Sequence, residues 1–152
     1  MIICFDTEFI EDGRTIDLIS IGLVREDGAE YYAELAECDL SRASEWVRQN
    51  VLPHLSGTTT PREQVARDIC DFVAFAGKKP EFWAYYADYD WVALCQLYGR
   101  MIDLPAHWPR YCRDLRQSLD AVGNPTVQHA DDEHNALSDA RWVMRTLKET
   151  TR

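Results

Sequence analysis

Three apolar segments occupy the first quarter of the chain, and short acidic turns that contain glycine separate them. The segments are 2–8, 16–25 and 29–35, and the turns are Glu11-Asp12-Gly13 and Glu26-Asp27-Gly28. Aliphatic and β-branched residues favour strands, and short glycine turns are typical of hairpins. The pattern therefore predicts a meander of three antiparallel strands.

After Ser41 the apolar residues recur at helical spacing, interrupted by one aromatic run at 81–87. Ser41 is the candidate N-cap of the first helix, and Thr60-Pro61-Arg62-Glu63 has the form of a capping box for the second, which Gly77 would end. The predicted helices cover 41–52, 61–76, 91–98, 116–122 and 134–149, and the predicted later strands cover 81–87 and 111–115. Strands followed by alternating helices and strands predict a single mixed α/β domain over residues 1–152.

Composition narrows the class of protein. No apolar run approaches the roughly 18 residues that a membrane span requires. The five cysteines are odd in number and widely spaced, so reduced thiols in a cytoplasmic protein are the expectation. The net charge of −10, from 16 basic and 26 acidic residues, argues against nonspecific affinity for nucleic acid.

Several acidic residues lie beside apolar positions of predicted strands and helices, where burial would be unfavourable for a charge. Asp6 and Glu8 lie two apart on the first strand, so they share one face with Cα atoms about 7 Å apart. Asp139 lies at the edge of the apolar face of the last helix, where a charged residue usually has a partner. A divalent cation would offset the repulsion between such carboxylates, whereas a solvated strand end would explain Asp6 and Glu8 without one.

Two further residues are candidates for the same site. Asp90 follows the aromatic strand, where it is either an N-cap or a site acid at the carboxyl end of that strand, with Asp88 as its competitor. His134 lies five residues before Asp139, so both can face one site only if His134 precedes the helix. The run Asp131-Asp132-Glu133 favours a loop there, although an ordinary surface histidine would fit as well.

Together these pieces form a motif. Asp6-Thr7-Glu8, Tyr89-Asp90 and the string 134–140 (HNALSDA) resemble the DEDDh exonucleases, a family that includes ribonuclease T, oligoribonuclease and proofreading subunits. The order matches from Asp6 to Asp139, and the flanking strings look similar to a short bacterial branch of ribonuclease-T-like 3′–5′ exoribonucleases. The chain departs from the family at Tyr86, where many members carry Asn, and at Phe9, which is often Thr.

The resemblance implies a ribonuclease-H-like fold, with a mixed sheet flanked by helices, and two Mg²⁺ or Mn²⁺ ions. Asp6 would bridge the ions, Glu8 and Asp139 would complete one, and Asp90 would serve the other. The ions would help to generate the nucleophile and stabilise the leaving 3′ oxygen. His134 would be the general base, a role that suits the ordinary pKa of imidazole.

The implied substrate is the 3′ end of single-stranded RNA, and the product is a nucleoside monophosphate. The candidate substrate contacts are Thr7, Phe9, Tyr89 and Arg113, although each of the aromatic side chains would also suit a core, and arginines at 110, 113 and 116 would also suit solvent. The alternatives are a 3′–5′ exodeoxyribonuclease, a silent nucleic-acid-binding module and a structural protein. Relatives of this kind are often homodimers, so a dimer is a further expectation.

Overall fold

Six strands form one mixed sheet. The computed structural model describes residues 1–74, 78–123, 125 and 133–150. The strands are β1 (Ile2–Glu11), β2 (Ile16–Arg25), β3 (Glu30–Leu35), β4 (Thr59–Thr60), β5 (Glu81–Ala84) and β6 (Arg113–Asp114). Their order across the sheet is β4-β3-β2-β1-β5-β6. The first three strands are antiparallel, and β4, β5 and β6 each pair in parallel with a neighbour, which confirms the predicted mixed sheet.

Helices cover both faces of this sheet. The α-helices are α1 (Glu45–Asn50), α2 (Arg62–Ala74), α3 (Asp88–Gln96), α4 (Leu115–Ala121) and α5 (Ala136–Thr150), and 3₁₀ turns lie at Leu40–Arg42, Leu52–His54 and Met101–Asp103. Side chains alternate along β1, so Ile3 and Phe5 pack into the cluster with α2 and α3. Cys4, between them, packs into the opposite cluster with α4 and α5.

The first helix begins later than the predicted Ser41. Asp39 accepts hydrogen bonds from both the backbone N–H and the hydroxyl of Ser41, and it caps a short 3₁₀ turn instead. Ser44 is the N-cap of α1, because its hydroxyl accepts from the N–H of Val47. The predicted capping box of α2 is not formed among the described residues, since no hydrogen bond joins Thr60 to Glu63. Glu37 instead accepts the N–H of Arg62, the first residue of the helix.

The aromatic strand is shorter than predicted. β5 ends at Ala84 and α3 begins at Asp88, so Asp90 lies inside the first turn of α3 and is not its N-cap. The N-cap position is Ala87, which offers no side-chain acceptor. The edge strand lies within its predicted segment. Helices α4 and α5 overlap theirs, but α4 begins one residue earlier, at Leu115, and α5 ends one residue later, at Thr150. Gly77, Asp131 and Asp132, which the sequence analysis used as boundary signals, lie outside the described residues.

Two irregular features of the first hairpin lie beside the β1 acids. The register of β1 against β2 shifts between Glu8 and Phe9, a β-bulge. Opposite Asp6 stands Gly22, and a Cβ added to this glycine would lie 2.4 Å from the backbone of Leu137. The start of α5 therefore approaches the sheet closely beside Asp6, which only glycine permits.

Within the described residues, no helix has the length and apolar character needed to cross a membrane. All five cysteines are free thiols.

Candidate active site

Three carboxylates meet where α5 reaches the sheet. Asp6 and Glu8 come from β1 and Asp139 comes from the first turn of α5. One carboxylate oxygen from each lies within 4.8 Å of the others. Hard oxygen donors at such spacing suit Mg²⁺ or Mn²⁺, so this cluster can hold a divalent cation.

Hydrogen bonds at the start of α5 hold Asp139 in place. The side chain of Asn135 accepts from the N–H of Ser138, as an N-cap does. The backbone N–H of His134 donates to Oδ2 of Asp139 at 2.8 Å. His134 thus precedes the helix, as the five-residue spacing required, and its φ of 69° is left-handed. This conformation folds the chain back towards the carboxylate.

The fourth acid, Asp90, lies beside the cluster but is held differently. It is only 5% exposed, and its Oδ1 accepts hydrogen bonds from the N–H and the hydroxyl of Thr7. Its competitor Asp88 is exposed on the first turn of the same helix. The burial of Asp90 against β1 favours it over Asp88 as the site acid.

Burial and mutual repulsion disfavour the ionised forms of these acids, and a bound cation would offset both effects. Burial, and next the charges of Asp90, Glu8 and Asp139, raise the pKa of Asp6 well above its ordinary value. Burial, together with Asp139 and Asp90, raises the pKa of Glu8 to about 8. Burial also raises the pKa of Asp90 to about 7, although the bonds from Thr7 oppose this shift. Positive charge placed among these groups would restore their ionised forms.

The acids open into a cleft of about 560 Å³ that aromatic side chains border. Phe9 and Tyr89 pack edge to face with ring centroids 5.8 Å apart, and Tyr89 is 50% exposed. The extra residue at the register shift is Ile19 of β2, so the alternation along β1 continues. Phe9 lies with Thr7 on the side of the strand that faces α3, and there it also lines the cleft. Tyr86 also lines the cleft, with a left-handed φ of 55° and 64% of its surface exposed.

One cleft residue escaped the sequence analysis. Trp46 of α1 packs edge to face on the ring of His134, with centroids 4.8 Å apart, and it lines the same cleft. It is 53% exposed. A tryptophan among the polar residues of a short helix was the only signal in the sequence, and that signal could not say which surface it faces.

Two of the residues predicted to contact the substrate have other surroundings: Arg113 lies outside the acidic cleft, and Thr7 is hydrogen-bonded to Asp90. Arg113 is on β6, where it pairs with Glu81 at 3.3 Å and lies over the ring of Trp83. It lines a separate groove of about 750 Å³ and is not among the residues that line the acidic cleft. The Thr7 hydroxyl is directed at Asp90, so a substrate contact by Thr7 stays a prediction.

A mixed sheet flanked by helices, with three carboxylates placed to hold a divalent cation, is an arrangement that suits a nuclease. A family model described as the 3′–5′ exoribonuclease Rv2179c-like domain matches residues 1–151. Two proteins of Mycobacterium tuberculosis strains, 3′–5′ exoribonuclease MT2234.1 and 3′–5′ exoribonuclease Rv2179c, are each 47% identical over 150 residues, which covers 95% of this chain and 89% of the relative. The chain belongs to the Rv2179c-like 3′–5′ exoribonuclease family.

A solved structure supports the fold independently. The Mg²⁺- and Mn²⁺-bound form of S. pombe Pop2p superposes with a TM-score of 0.61 at 18% identity, covering 97% of this chain and 81% of that one. At this identity the likeness concerns architecture, and it confirms the predicted fold class.

Proposed function

We propose that this protein removes nucleotides from the 3′ end of single-stranded RNA by hydrolysis that depends on two divalent cations, Mg²⁺ or Mn²⁺. The observation that carries the proposal is the approach of the Asp6, Glu8 and Asp139 carboxylates to within 4.8 Å of one another. Family membership supplies the reaction class, a 3′–5′ exoribonuclease.

The four acids have distinct roles in this proposal. Asp6, the most central of them because its pKa responds to all three others, would bridge the two cations. Glu8 and Asp139 would complete the first site and Asp90 would serve the second. Bound cations would activate the attacking water and stabilise the leaving 3′ oxygen.

His134 would accept the proton of the attacking water. Its backbone is anchored to Asp139 and its ring rests on Trp46, so the imidazole lies in the cleft that holds the acids. Histidine is the side chain that most often serves as a general base in catalysis. The proton would pass to the imidazole of His134 as the water oxygen bonds to phosphorus. The bond from phosphorus to the 3′ oxygen would break, that oxygen would take a proton from solvent, and a nucleoside 5′-monophosphate would be released.

The aromatic side chains that border the cleft suit the binding of single-stranded RNA without sequence preference. Stacking on an aromatic ring contributes about 1–3 kcal/mol per base regardless of base identity. Phe9 and Tyr89 form one wall of the cleft, and we assign them to the terminal base. A contact of Arg113 with a phosphate farther along the strand would require the RNA to reach the separate groove.

The central experiment compares the wild type with Asp6→Asn on RNA and DNA oligomers labelled at the 5′ end. We expect a ladder of shortened RNA from the wild type that requires Mg²⁺ or Mn²⁺, and no activity from Asp6→Asn, because the bridging charge is lost. Asp71→Asn, an exposed acid of α2, is the matched control and should retain full activity. Full activity of Asp6→Asn would refute the metal site, and faster digestion of DNA would favour the exodeoxyribonuclease alternative.

Two further aspects of the proposal concern assembly and location. A homodimer would allow a second copy to add positive charge near the cleft of a chain whose own net charge is −10. Light scattering at micromolar concentration tests for the dimer, and a monomer mass would exclude it.

We place the enzyme in the cytoplasm, where its five thiols would stay reduced, and fractionation of cells tests that location.

A further inference from the structure

Thr7 directs two hydrogen-bond donors at one oxygen of Asp90. Its backbone N–H lies 3.0 Å and its hydroxyl 2.5 Å from Oδ1, and both residues are 5% exposed. No described residue donates a hydrogen bond to Oδ2 of Asp90. One oxygen of this carboxylate is therefore committed to the protein and the other is not.

The strand geometry explains how Thr7 reaches Asp90. Neighbouring side chains on a strand point to opposite faces, so Thr7 points away from the face that Asp6 and Glu8 share. It enters the space between β1 and α3, where the first turn of α3 carries Asp90. The residue between the two β1 acids thus links this strand to the acid of a different element.

We propose that the Thr7 hydroxyl is a positioning group that fixes the rotamer of Asp90, so that Oδ2 is presented to the cleft as a single-oxygen ligand. This inference rests on the proposed metal-dependent function. The backbone N–H alone would leave the carboxylate free to rotate about that single bond, whereas two donors from different directions fix its plane. Groups that orient a metal ligand in this way commonly change metal affinity or activity by about 10–100-fold when they are removed.

The test replaces the hydroxyl with a methyl group of nearly the same volume. Thr7→Val removes the donor, and Thr7→Ser keeps it. Thr146→Val is the matched control, since Thr146 is fully buried on α5 and its hydroxyl has no hydrogen-bond partner among the described residues. Calorimetric titration of each full-length variant with Mn²⁺, together with kcat and KM on an RNA oligomer, gives readouts besides activity.

For Thr7→Val we expect Mn²⁺ affinity at one of two sites and kcat to fall roughly 10–100-fold with little change in KM. Thr7→Ser should recover most of both values, and Thr146→Val should match the wild type. In a double-mutant cycle, Thr7→Val should add little to the loss caused by Asp90→Asn, because both changes act on one group.

Mn²⁺ affinity and kcat of Thr7→Val within twofold of the wild type would overturn the inference while leaving the proposed function intact. Failure of Thr7→Ser to recover activity would overturn it as well. If Thr7→Val does not fold, Thr7→Ala replaces it and the same criteria apply. A wild type that binds no Mn²⁺ and degrades no RNA would overturn the proposed function and this inference together.

Discussion

The backbone N–H of His134 anchors this residue to Asp139, and the imidazole takes no part in that hydrogen bond. The N–H that donates to Asp139 is present in any residue other than proline at this position. A substitution at 134 can therefore remove the proposed base and keep the bond that orients a metal ligand. Asparagine is the better substitute, because the φ of 69° is left-handed and asparagine tolerates that region more readily than alanine.

We expect His134→Asn and His134→Ala to lower kcat by about 10²–10⁴-fold, the usual contribution of a general base. Mn²⁺ affinity should stay close to the wild-type value, with the alanine variant somewhat less stable. Rapid-quench kinetics on labelled RNA and Mn²⁺ calorimetry measure the two quantities, and His54→Asn, an exposed histidine in a 3₁₀ turn, is the control. Loss of metal binding and activity in equal measure would assign His134 to the metal site instead of to proton transfer.

At the scale of single residues, the sequence predicted the acids of the site better than it predicted the contacts between side chains. The motif pointed to Asp6, Glu8 and Asp139, and the structure brings them together. The contact of Trp46 with His134 joins two elements far apart in the chain, and no local pattern encodes such a pairing. The bond between Thr7 and Asp90 was hidden for the same reason.

Helix α5 is placed by what it packs against. Its apolar face lies on β1 and β2, and the glycine at 22 lets its first turn approach the strand that carries Asp6. A side chain at this position would meet backbone atoms of Ala136 and Leu137, which cannot rotate away as a side chain could. The distance between Asp6 and Asp139 therefore depends on a residue with no side chain.

Gly22→Ala should displace the start of α5 and separate Asp139 from the β1 carboxylates. We expect a loss of stability of about 1–3 kcal/mol, typical of overpacking, and at least a tenfold weaker affinity for Mn²⁺. Urea unfolding and Mn²⁺ calorimetry measure these changes. Gly28→Ala is the control, because its left-handed φ of 91° makes the substitution destabilising in an open turn away from the acids. Wild-type Mn²⁺ affinity in a folded Gly22→Ala protein would contradict this role.

At the scale of elements, the periodicity of apolar residues located strands and helices but not their ends. The helix α1 begins at Glu45 and not at the predicted Ser41, because Asp39 caps a 3₁₀ turn through Ser41 and Ser44 then caps the α-helix. The register shift after Glu8 left no mark on the apolar pattern. Ends and bulges depend on single hydrogen bonds, and these are weaker signals than repeated burial.

For the whole molecule, the bulk charge was a misleading guide. A net charge of −10 argued against binding nucleic acid, yet the chain belongs to an exoribonuclease family. Part of the acidity is concentrated in one half-buried cluster, where the proposed cations would compensate it. Total charge does not distinguish carboxylates that repel a substrate from carboxylates that recruit a cation for it.

This concentration of acid makes stability depend on pH and on metal together. The pKa of Glu8 is raised to about 8 and that of Asp90 to about 7, whereas in the unfolded chain both return to ordinary values near 4. Between these limits the folded protein holds more protons than the unfolded one, so its stability falls as pH rises from about 4 to about 8. Below pH 4 the contribution is fully present, and above pH 8 it is lost.

In the presence of EDTA, we therefore expect the Tm to fall between pH 5 and pH 8. Saturating Mn²⁺ should raise the Tm much more at pH 8 than at pH 5, because protons compete with the cation for the same oxygens. Scanning calorimetry at both pH values measures the effect, and a Glu8→Gln, Asp90→Asn double variant should lose most of both dependences. A metal-free Tm that rises over this range, or an equal gain from Mn²⁺ at both pH values, would mean that the acids are ionised and compensated without a cation.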